Sequence, residues 1–196
     1  MNAGDLKTRI SALTEQEIRD RLRAKRPSRV EEEGLKPSAV LIPLIRKSEG
    51  WCLIFTRRSR QLETHKGEIS FPGGMLEPGE SPLGAALRET REELGIEDDK
   101  IHLLGELDEI FTITGFRIRP FVAGIDWPAH LRPNPAEIDS VIILPLAEFA
   151  DDSRLKTEHW ERNGRDFPVY YFSFDDCTVW GATAKMTKNL IERLKA

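Results

Sequence analysis

Residues 73–96 read GGMLEPGESPLGAALRETREELGI, and the organisation of the chain is decided there. Glu89, Glu92 and Glu93 stand at i, i+3 and i+4, which puts all three on one face of a helix. Like charges at that spacing repel by a few tenths of a kcal/mol, so the cluster is mildly unfavourable alone, and a divalent cation reverses the sign. Leu83, Ala86, Leu87, Thr90 and Leu94 recur at helical spacing and predict a buried face opposite the acids. Ser81 is placed to cap the start, Pro82 suits the first helical position and Gly95 suits the C-terminal cap. The stretch predicts a capped amphipathic helix with acids on its outer face, entered through a loop rich in Gly and Pro. Taken alone, a run of Glu and Arg on a helix is most often a solvated face.

The residues around the acids narrow that reading. Gly74, Glu80, Arg88, Glu89, Glu92, Glu93 and Gly95 are spaced as Gly, five of any residue, Glu, seven of any residue, Arg-Glu, two residues, Glu-Glu, one residue, Gly. With each residue type at about 5–10% usage, seven fixed matches by chance are rarer than roughly one in ten million. This spacing resembles the Nudix box. Thr90 stands where that box usually has an aliphatic residue, and Thr is small enough for a buried helix face.

The chain has 196 residues, 39% hydrophobic and 32% charged, which suits one globular domain with an ordinary core. A net charge of −4 offers no broad basic surface to a nucleic-acid backbone, while a local basic patch still suits a phosphorylated small molecule. Two cysteines, Cys52 and Cys177, are too few for a disulfide framework or a cysteine zinc site, and Cys52 reads as a core thiol. No stretch reaches the ~20 apolar residues of a membrane span, and Asp5, Glu15 and Glu17 argue against a transit peptide. The expected setting is the cytoplasm.

Residues 1–36 are expected to form an N-terminal helical extension, and 37–196 the main domain. Thr14 and Glu17 make a capping-box pattern that opens a helix through Ile18 and Leu22 to about Lys25, with Pro27 stopping it. Such an extension is free to pack on the core, cover a site or join two subunits as a homodimer. Residues 38–45 (SAVLIPLI) and 51–57 (WCLIFTR) predict two strands of a sheet covered on both faces. Residues 101–110 and 116–125 predict strands around a turn at Thr114-Gly115, and 141–145 a short strand after a loop broken by Pro128, Pro133 and Pro135. Residues 160–162 and 169–174 predict a hairpin around Asn163-Gly164, and 181–194 a helix packed through Ala182, Met186, Leu190, Ile191 and Leu194. Together these predict an α/β fold with a mixed sheet between helices. The resemblance implies the αβα sandwich of the Nudix fold.

Mg²⁺ prefers oxygen ligands and usually takes a few carboxylates plus substrate phosphates and waters, a set that Glu89, Glu92 and Glu93 supply. A metal bridging a pyrophosphate neutralises oxygens that gain charge as the bridge breaks, and it lowers the pKa of an attacking water. Mg²⁺ or Mn²⁺ is the expected cofactor. Glu89 reads either as a ligand or as the group that takes the water's proton. Arg88 adjoins the cluster and is able to orient Glu89 or Glu92; the resemblance implies that it does. Gly73 and Gly74 allow close backbone approach, and the resemblance implies the Gly74 carbonyl as a metal ligand. Glu80 reads as a metal-binding or an outer structural group, and Glu77 as solvent-facing. The resemblance also implies a further ligand or general base from a late loop, for which Glu137 is the candidate.

Residues 54–74, IFTRRSRQLETHKGEISFPGG, look like the signature of the coenzyme A pyrophosphatase subfamily. Thr56, Arg58, Ser59, Leu62, His65, Gly67, Ile69, Ser70, Phe71, Pro72, Gly73 and Gly74 match it. Glu63 stands where Arg is usual and Glu68 where Gln is usual; both changes add negative charge. Arg57, Arg58, Arg60 and Lys66 make the loop basic beside the acidic helix. Arg57, Arg58, Ser59, His65, Lys66 and Gly73 are the expected substrate-binding residues, with His65 donating to phosphate or bonding the loop itself. Residues 39–44, 119–122 and 180–184 resemble the same subfamily, which covers about 38–190. His102, His130 and His159 have no companions at ligand spacing and read as structural. The expected substrate is coenzyme A or an acyl derivative, cleaved at its pyrophosphate. The alternatives are another nucleoside diphosphate derivative and, from a different class, a non-catalytic nucleotide-binding regulator.

Overall fold

Strand β1 (Lys36–Lys47) shows how the sheet is buried. Its Ala39, Leu41 and Ile45 join one hydrophobic cluster, and its Val40, Ile42 and Leu44 join another. Successive side chains of a strand point to opposite faces, so β1 is apolar throughout because both of its faces are covered. The computed structural model describes residues 3–59, 67–162 and 164–195. Two helices, α1 (Ala3–Ala12) and α2 (Glu15–Arg23), precede β1. After it come β2 (Gly50–Arg58), β3 (Ile69–Ser70), β4 (Gly73–Met75) and the helix α3 (Pro82–Leu94). Next are β5 (Ile101–Glu106), β6 (Ile110–Phe111), β7 (Phe116–Ile125) and β8 (Ile138–Pro145). The chain closes with β9 (Leu155–Arg162), β10 (Arg165–Ser173), β11 (Thr178–Trp180) and α4 (Gly181–Lys195).

The main sheet is mixed and eight-stranded: β1 runs parallel to β7 and antiparallel to β2 and β4, while β8 adds to β2 and β5 and β6 add to β7. Strands β9, β10 and β11 form a separate antiparallel sheet. Helix α3 covers one face of the main sheet, with Ala85, Ala86 and Leu94 packed on Ala39, Leu41 and Ile54. The other face is covered by Leu190, Ile191 and Leu194 of α4 together with Ile10, Ile18 and Leu22 of the N-terminal helices. The expected α/β architecture, a mixed sheet between helices, is therefore present. The N-terminal segment packs on the core, and Cys52 is buried as expected. No helix among the described residues is long and apolar enough to cross a membrane.

Several elements differ from their sequence expectation for identifiable reasons. The helix predicted from Thr14 is α2, and its capping box is formed: Thr14 Oγ1 accepts from the Glu17 N–H at 3.2 Å, and Glu17 accepts from the Thr14 N–H at 2.7 Å. Helix α1 was not expected, because Leu6 and Ile10 alone mark its packed side. The strand predicted over 101–110 is broken after Glu106, and β5 also slips register against β7 between Leu103 and Gly105. The hairpin of β9 and β10 is longer than its apolar residues indicate, because cross-strand pairing extends through charged positions such as Glu158 and Glu161. Strand β11 is too short to read from pattern.

Helix α3 is capped as its sequence demands. Ser81 Oγ accepts from the Gly84 N–H at 3.0 Å, Pro82 opens the helix, and Gly95 closes it at φ 67°, where a side chain would be strained. Thr90 is fully buried and donates its hydroxyl to the Ala86 carbonyl at 2.7 Å, so its polar atom is satisfied within the helix. Leu83 and Leu87, expected inside, are half-buried, and Ala85 and Glu93 are buried in their place. Replacing Ser81 by Ala removes the cap and is expected to cost about 1 kcal/mol, lowering the melting temperature by about 2–4 °C. An unchanged thermal transition would show that the cap contributes nothing.

Candidate active site

The acids of α3 do not share one outer face. Glu93 is 3% exposed and points inward, Glu89 is largely buried, and Glu92 is the solvent-facing member at 52% side-chain exposure. Helical geometry explains the split: residues four apart are offset by about 40° and adjacent ones by about 100°. Glu89 and Glu93 thus stay together while Glu92 turns away. The expectation of three outward acids is corrected on this point. Among the described residues, no three acidic, His or Cys side chains stand close enough to hold a metal ion as they are.

Burial decides the electrostatics. Glu93 sits in the core layer under β2, where Thr56 Oγ1 reaches its Oε2 at 3.5 Å. Desolvation first, and then the Glu89 charge, push its carboxyl up to about 8; Arg58 pulls the other way and Glu137 adds to the rise. Glu89 is also raised, again mainly by burial, with Arg88 opposing and Glu92 and Glu137 reinforcing. Two neighbouring acids that each resist ionisation make a donor set suited to a hard divalent cation. A cation between them would remove both the desolvation cost and the repulsion.

Arg88 holds this arrangement from the outside. Its Nε and Nη2 donate to Glu80 Oε1 and Oε2 at 2.9 and 3.1 Å, a bidentate pair, and its Nη2 also donates to the Met75 carbonyl at 3.2 Å. The remaining nitrogen, Nη1, donates to Glu89 at 2.9 Å and to Glu92 at 3.2 Å. Hydrogen bonding to Glu80 holds the guanidinium far above its ordinary range and holds Glu80 low. Glu80 therefore fixes Arg88, and Arg88 fixes Glu89. Glu77 faces solvent, as expected.

The two glycines have separate tasks. A Cβ on Gly74 would lie 2.1 Å from Glu89 Oε1, so its hydrogen makes room for that carboxylate. A Cβ on Gly73 would lie 2.4 Å from the Ala39 carbonyl, so only glycine lets β4 lie against β1. Glu137 arrives through the proline-broken loop, which is tied to the end of α3. Arg132 N–H donates to the Leu94 carbonyl at 2.8 Å and Asn134 N–H to the Glu93 carbonyl at 3.1 Å. These bonds were not legible in the sequence, and they bring the Glu137 charge within range of Glu89 and Glu93. Ser59 is buried, and its N–H donates to the Glu137 carbonyl at 2.7 Å. The Nε atoms of Arg57 and Arg58 are buried without a hydrogen-bond partner among the described residues. A β-bulge separates these two arginines in the pairing of β2 with β8.

Arg60, Glu63, His65 and Lys66 lie outside the described residues. His102 pairs with Asp126 and His159 with Asp166 at the surface, away from the acids, and His130 is exposed. Thr56, which contacts Glu93, was marked in the sequence by its place in the 54–74 pattern, without a role attached.

The Glu93 shift has a measurable consequence. Its folded value, about 8, lies above its ordinary 4.5, so between these pH values the native state holds more protons than the unfolded state. Stability from this group is complete below pH 4.5 and is lost as pH rises through about 8. Without divalent cations, Glu93→Gln is expected to match wild type in denaturant titrations near pH 5 and to exceed it by roughly 1–3 kcal/mol above pH 8. A constant difference across this range would refute the burial argument.

Comparison with known proteins identifies the family. Residues 35–165 match the model of the NUDIX domain. An uncharacterized Nudix hydrolase NudL of Photorhabdus laumondii is 32% identical over 170 residues, covering 86% of this chain and 90% of the relative. The NudL of Citrobacter koseri is 33% identical over 183 residues, covering 92% and 94%. Among solved structures, a MutT/nudix family protein from Enterococcus faecalis aligns with TM-score 0.54 at 15% identity, covering 100% of this chain and 74% of that one. The Ap4A hydrolase of C. elegans aligns with TM-score 0.50 at 19% identity, covering 56% and 80%. These structures share the fold. A helix carrying paired acids, an arginine clamp and a glycine shaped to a carboxylate thus stand in a chain that belongs to the Nudix hydrolase family.

Proposed function

We propose that this hydrolase cleaves the pyrophosphate of coenzyme A or an acyl derivative, giving 3′,5′-ADP and 4′-phosphopantetheine or its acyl form. The observation that carries the hydrolytic part is the inward pair Glu89 and Glu93, of which Glu93 has no basic hydrogen-bond partner among the described residues. Glu89, Glu92, Glu93 and the Gly74 carbonyl would hold Mg²⁺ or Mn²⁺, with Glu92 joining by rotation of its exposed side chain. When bound, the cation supplies charge neutralisation at the phosphates and acidifies a bound water.

The chain's own residues do the rest. Glu93, held neutral near pH 7 by its burial, would have to release that proton to serve as a ligand. Arg88, locked by Glu80, keeps one oxygen of Glu89 oriented, so that the other is free for metal or for the proton of water. Glu137 is the second candidate for that proton. Water oxygen joins one phosphorus, the bridging P–O bond breaks, and the departing oxygen leaves on the other phosphate. Arg57, Arg58 and Ser59, with His65 and Lys66 further along the sequence, would position the phosphates. The proposed setting is the cytoplasm.

The preference for coenzyme A is supported by the resemblance of residues 54–74 to the coenzyme A pyrophosphatase signature. A second reading, the same cleavage on another nucleoside diphosphate derivative, is favoured by Glu63 and Glu68, whose charges oppose an anionic ligand. Assay of coenzyme A, ADP-ribose, NADH and nucleoside triphosphates side by side decides between them, with coenzyme A expected to give the highest kcat/KM. Glu93→Gln is expected to lower turnover by roughly 10²- to 10⁴-fold while the fold stays intact. Near-normal activity in that variant would refute the assignment. Nucleotide binding without product in excess Mg²⁺ would indicate a regulator instead.

A further inference from the structure

A cavity of about 570 Å³ opens where the N-terminal helices meet the main sheet. That volume lies within the range of small-molecule sites, about 300–1,000 Å³, so it holds a whole small ligand. Helix α2 and the segment after it form one wall, and β5 forms the other. Leu22 and Leu104 belong to the hydrophobic cluster on the face opposite α3, so the cavity lies across the sheet from Glu89 and Glu93. Two features build it. A Cβ on Gly105, beside the register slip of β5, would lie 2.8 Å from Leu22 Cβ, so glycine lets α2 settle there. Arg19 Nη1 donates to the Leu103 carbonyl at 2.6 Å and fixes the helix against the strand. Beyond α2 the backbone is tied at three points. The Lys25 carbonyl accepts from Arg193, the Ser28 N–H donates to Asp108 at 2.8 Å, and the Val30 N–H donates to Glu109 at 3.1 Å.

This tied backbone carries untied cations. Arg23, Lys25 and Arg26 line the cavity, and none of their side chains makes an ion pair or hydrogen bond with a described residue. Arg29 lines it too, but it pairs with Glu106, which Arg119 shares, so that carboxylate is already balanced. The acids Glu31, Glu32 and Glu33 follow in sequence and do not line the cavity. The dipole of α2 favours a cation in its last turn, as at Arg23, but gives no reason for Arg26 beyond the helix. Three like charges around one concavity repel one another, and a bound anion reverses the sign. Much of the remaining lining is apolar: Leu22, Pro27, Leu104 and Leu103, the last 38% exposed. No aromatic ring among the described residues lines the cavity, so a nucleobase finds no stacking surface there. We propose that the cavity is a binding site for a small amphiphilic anion, a phosphate or carboxylate head on an aliphatic body, separate from the acids of α3. The head pairs with Arg23, Lys25 and Arg26, and the body covers Leu103. Such a site does not depend on the reaction proposed above.

Calorimetric titration of the full chain with hexyl phosphate, heptanoate, inorganic phosphate and 1-hexanol, in buffer free of divalent cations, tests this site. At least one of the two amphiphilic anions is expected to bind about tenfold or more tighter than inorganic phosphate and 1-hexanol. Hexyl phosphate and heptanoate separate a phosphate head from a carboxylate. The double variant Arg23→Gln, Arg26→Gln is expected to weaken the bound anion by about tenfold or more. Without ligand it is expected to melt as wild type does, since both positions are exposed. Leu103→Ser, also at an exposed position, is expected to erase most of the preference for the amphiphile over inorganic phosphate, which a general charge effect would not do. The site is overturned if neither amphiphilic anion binds, or if either variant leaves the affinity unchanged. It is equally overturned if Arg58→Gln abolishes binding while the double variant retains it, which would put the anion beside the acids of α3. Binding to vesicles of anionic phospholipid but to neither soluble anion would assign these cations to a membrane surface and overturn it as well.

Discussion

Everything at the candidate active site follows from one carboxyl group being packed inside. Glu93 is buried under β2 with a long contact to Thr56 and no ion pair among the described residues. Burying an acid this way is costly unless it stays neutral or meets a positive charge. The fold supports it through α3, whose apolar residues fix the helix on the sheet and whose two ends are both capped. Rotate that helix by one residue so that Glu93 takes the place of Glu92, and its carboxyl would face water. The packing of Ala85, Ala86 and Leu94 is therefore also what aims the chemistry.

The arginine clamp is the complement of that buried acid. Arg88 uses its full fork: two nitrogens on Glu80, one shared between Glu89 and Glu92. A lysine, with a compact head and no planar fork, has no equivalent geometry. Burial raises both carboxyls; Arg88 opposes the rise at Glu89, and Arg58 opposes it at Glu93. Two acids four residues apart are thus balanced by different basic neighbours.

Much of this was legible in the sequence. The caps of α3 follow from Ser81, Pro82 and Gly95 because capping is local chemistry. Strand β7 falls on residues 116–125 as expected, because Phe116 and Ile118 alternate with Arg117 and Arg119 before the apolar run of Phe121, Val122 and Ala123. The location of the acids on α3 was legible; their division into inward and outward was not. Leu83 and Leu87 outweigh Ala85 in hydrophobicity, so pattern alone turns the helix too far toward them. The proline-broken loop gave no sign of its hydrogen bonds to α3, since these are made by backbone groups that any residue carries. Likewise Gly74 reads as a place of close backbone approach, and only the folded chain reveals that a neighbouring carboxylate fills the space its side chain would take.

The bonds from Arg132 and Asn134 to the last carbonyls of α3 have a mechanical meaning. They splice the loop to the helix, so the two travel as a single lever whose pivot is the sheet. Lengthening or shortening the loop by one residue would drag on the helix end and shift the Glu93 side chain, although no altered residue touched it. Tolerance to insertion should accordingly drop between residues 132 and 134, and stay high at an exposed bend such as that between Ser48 and Glu49, which bears on no such lever.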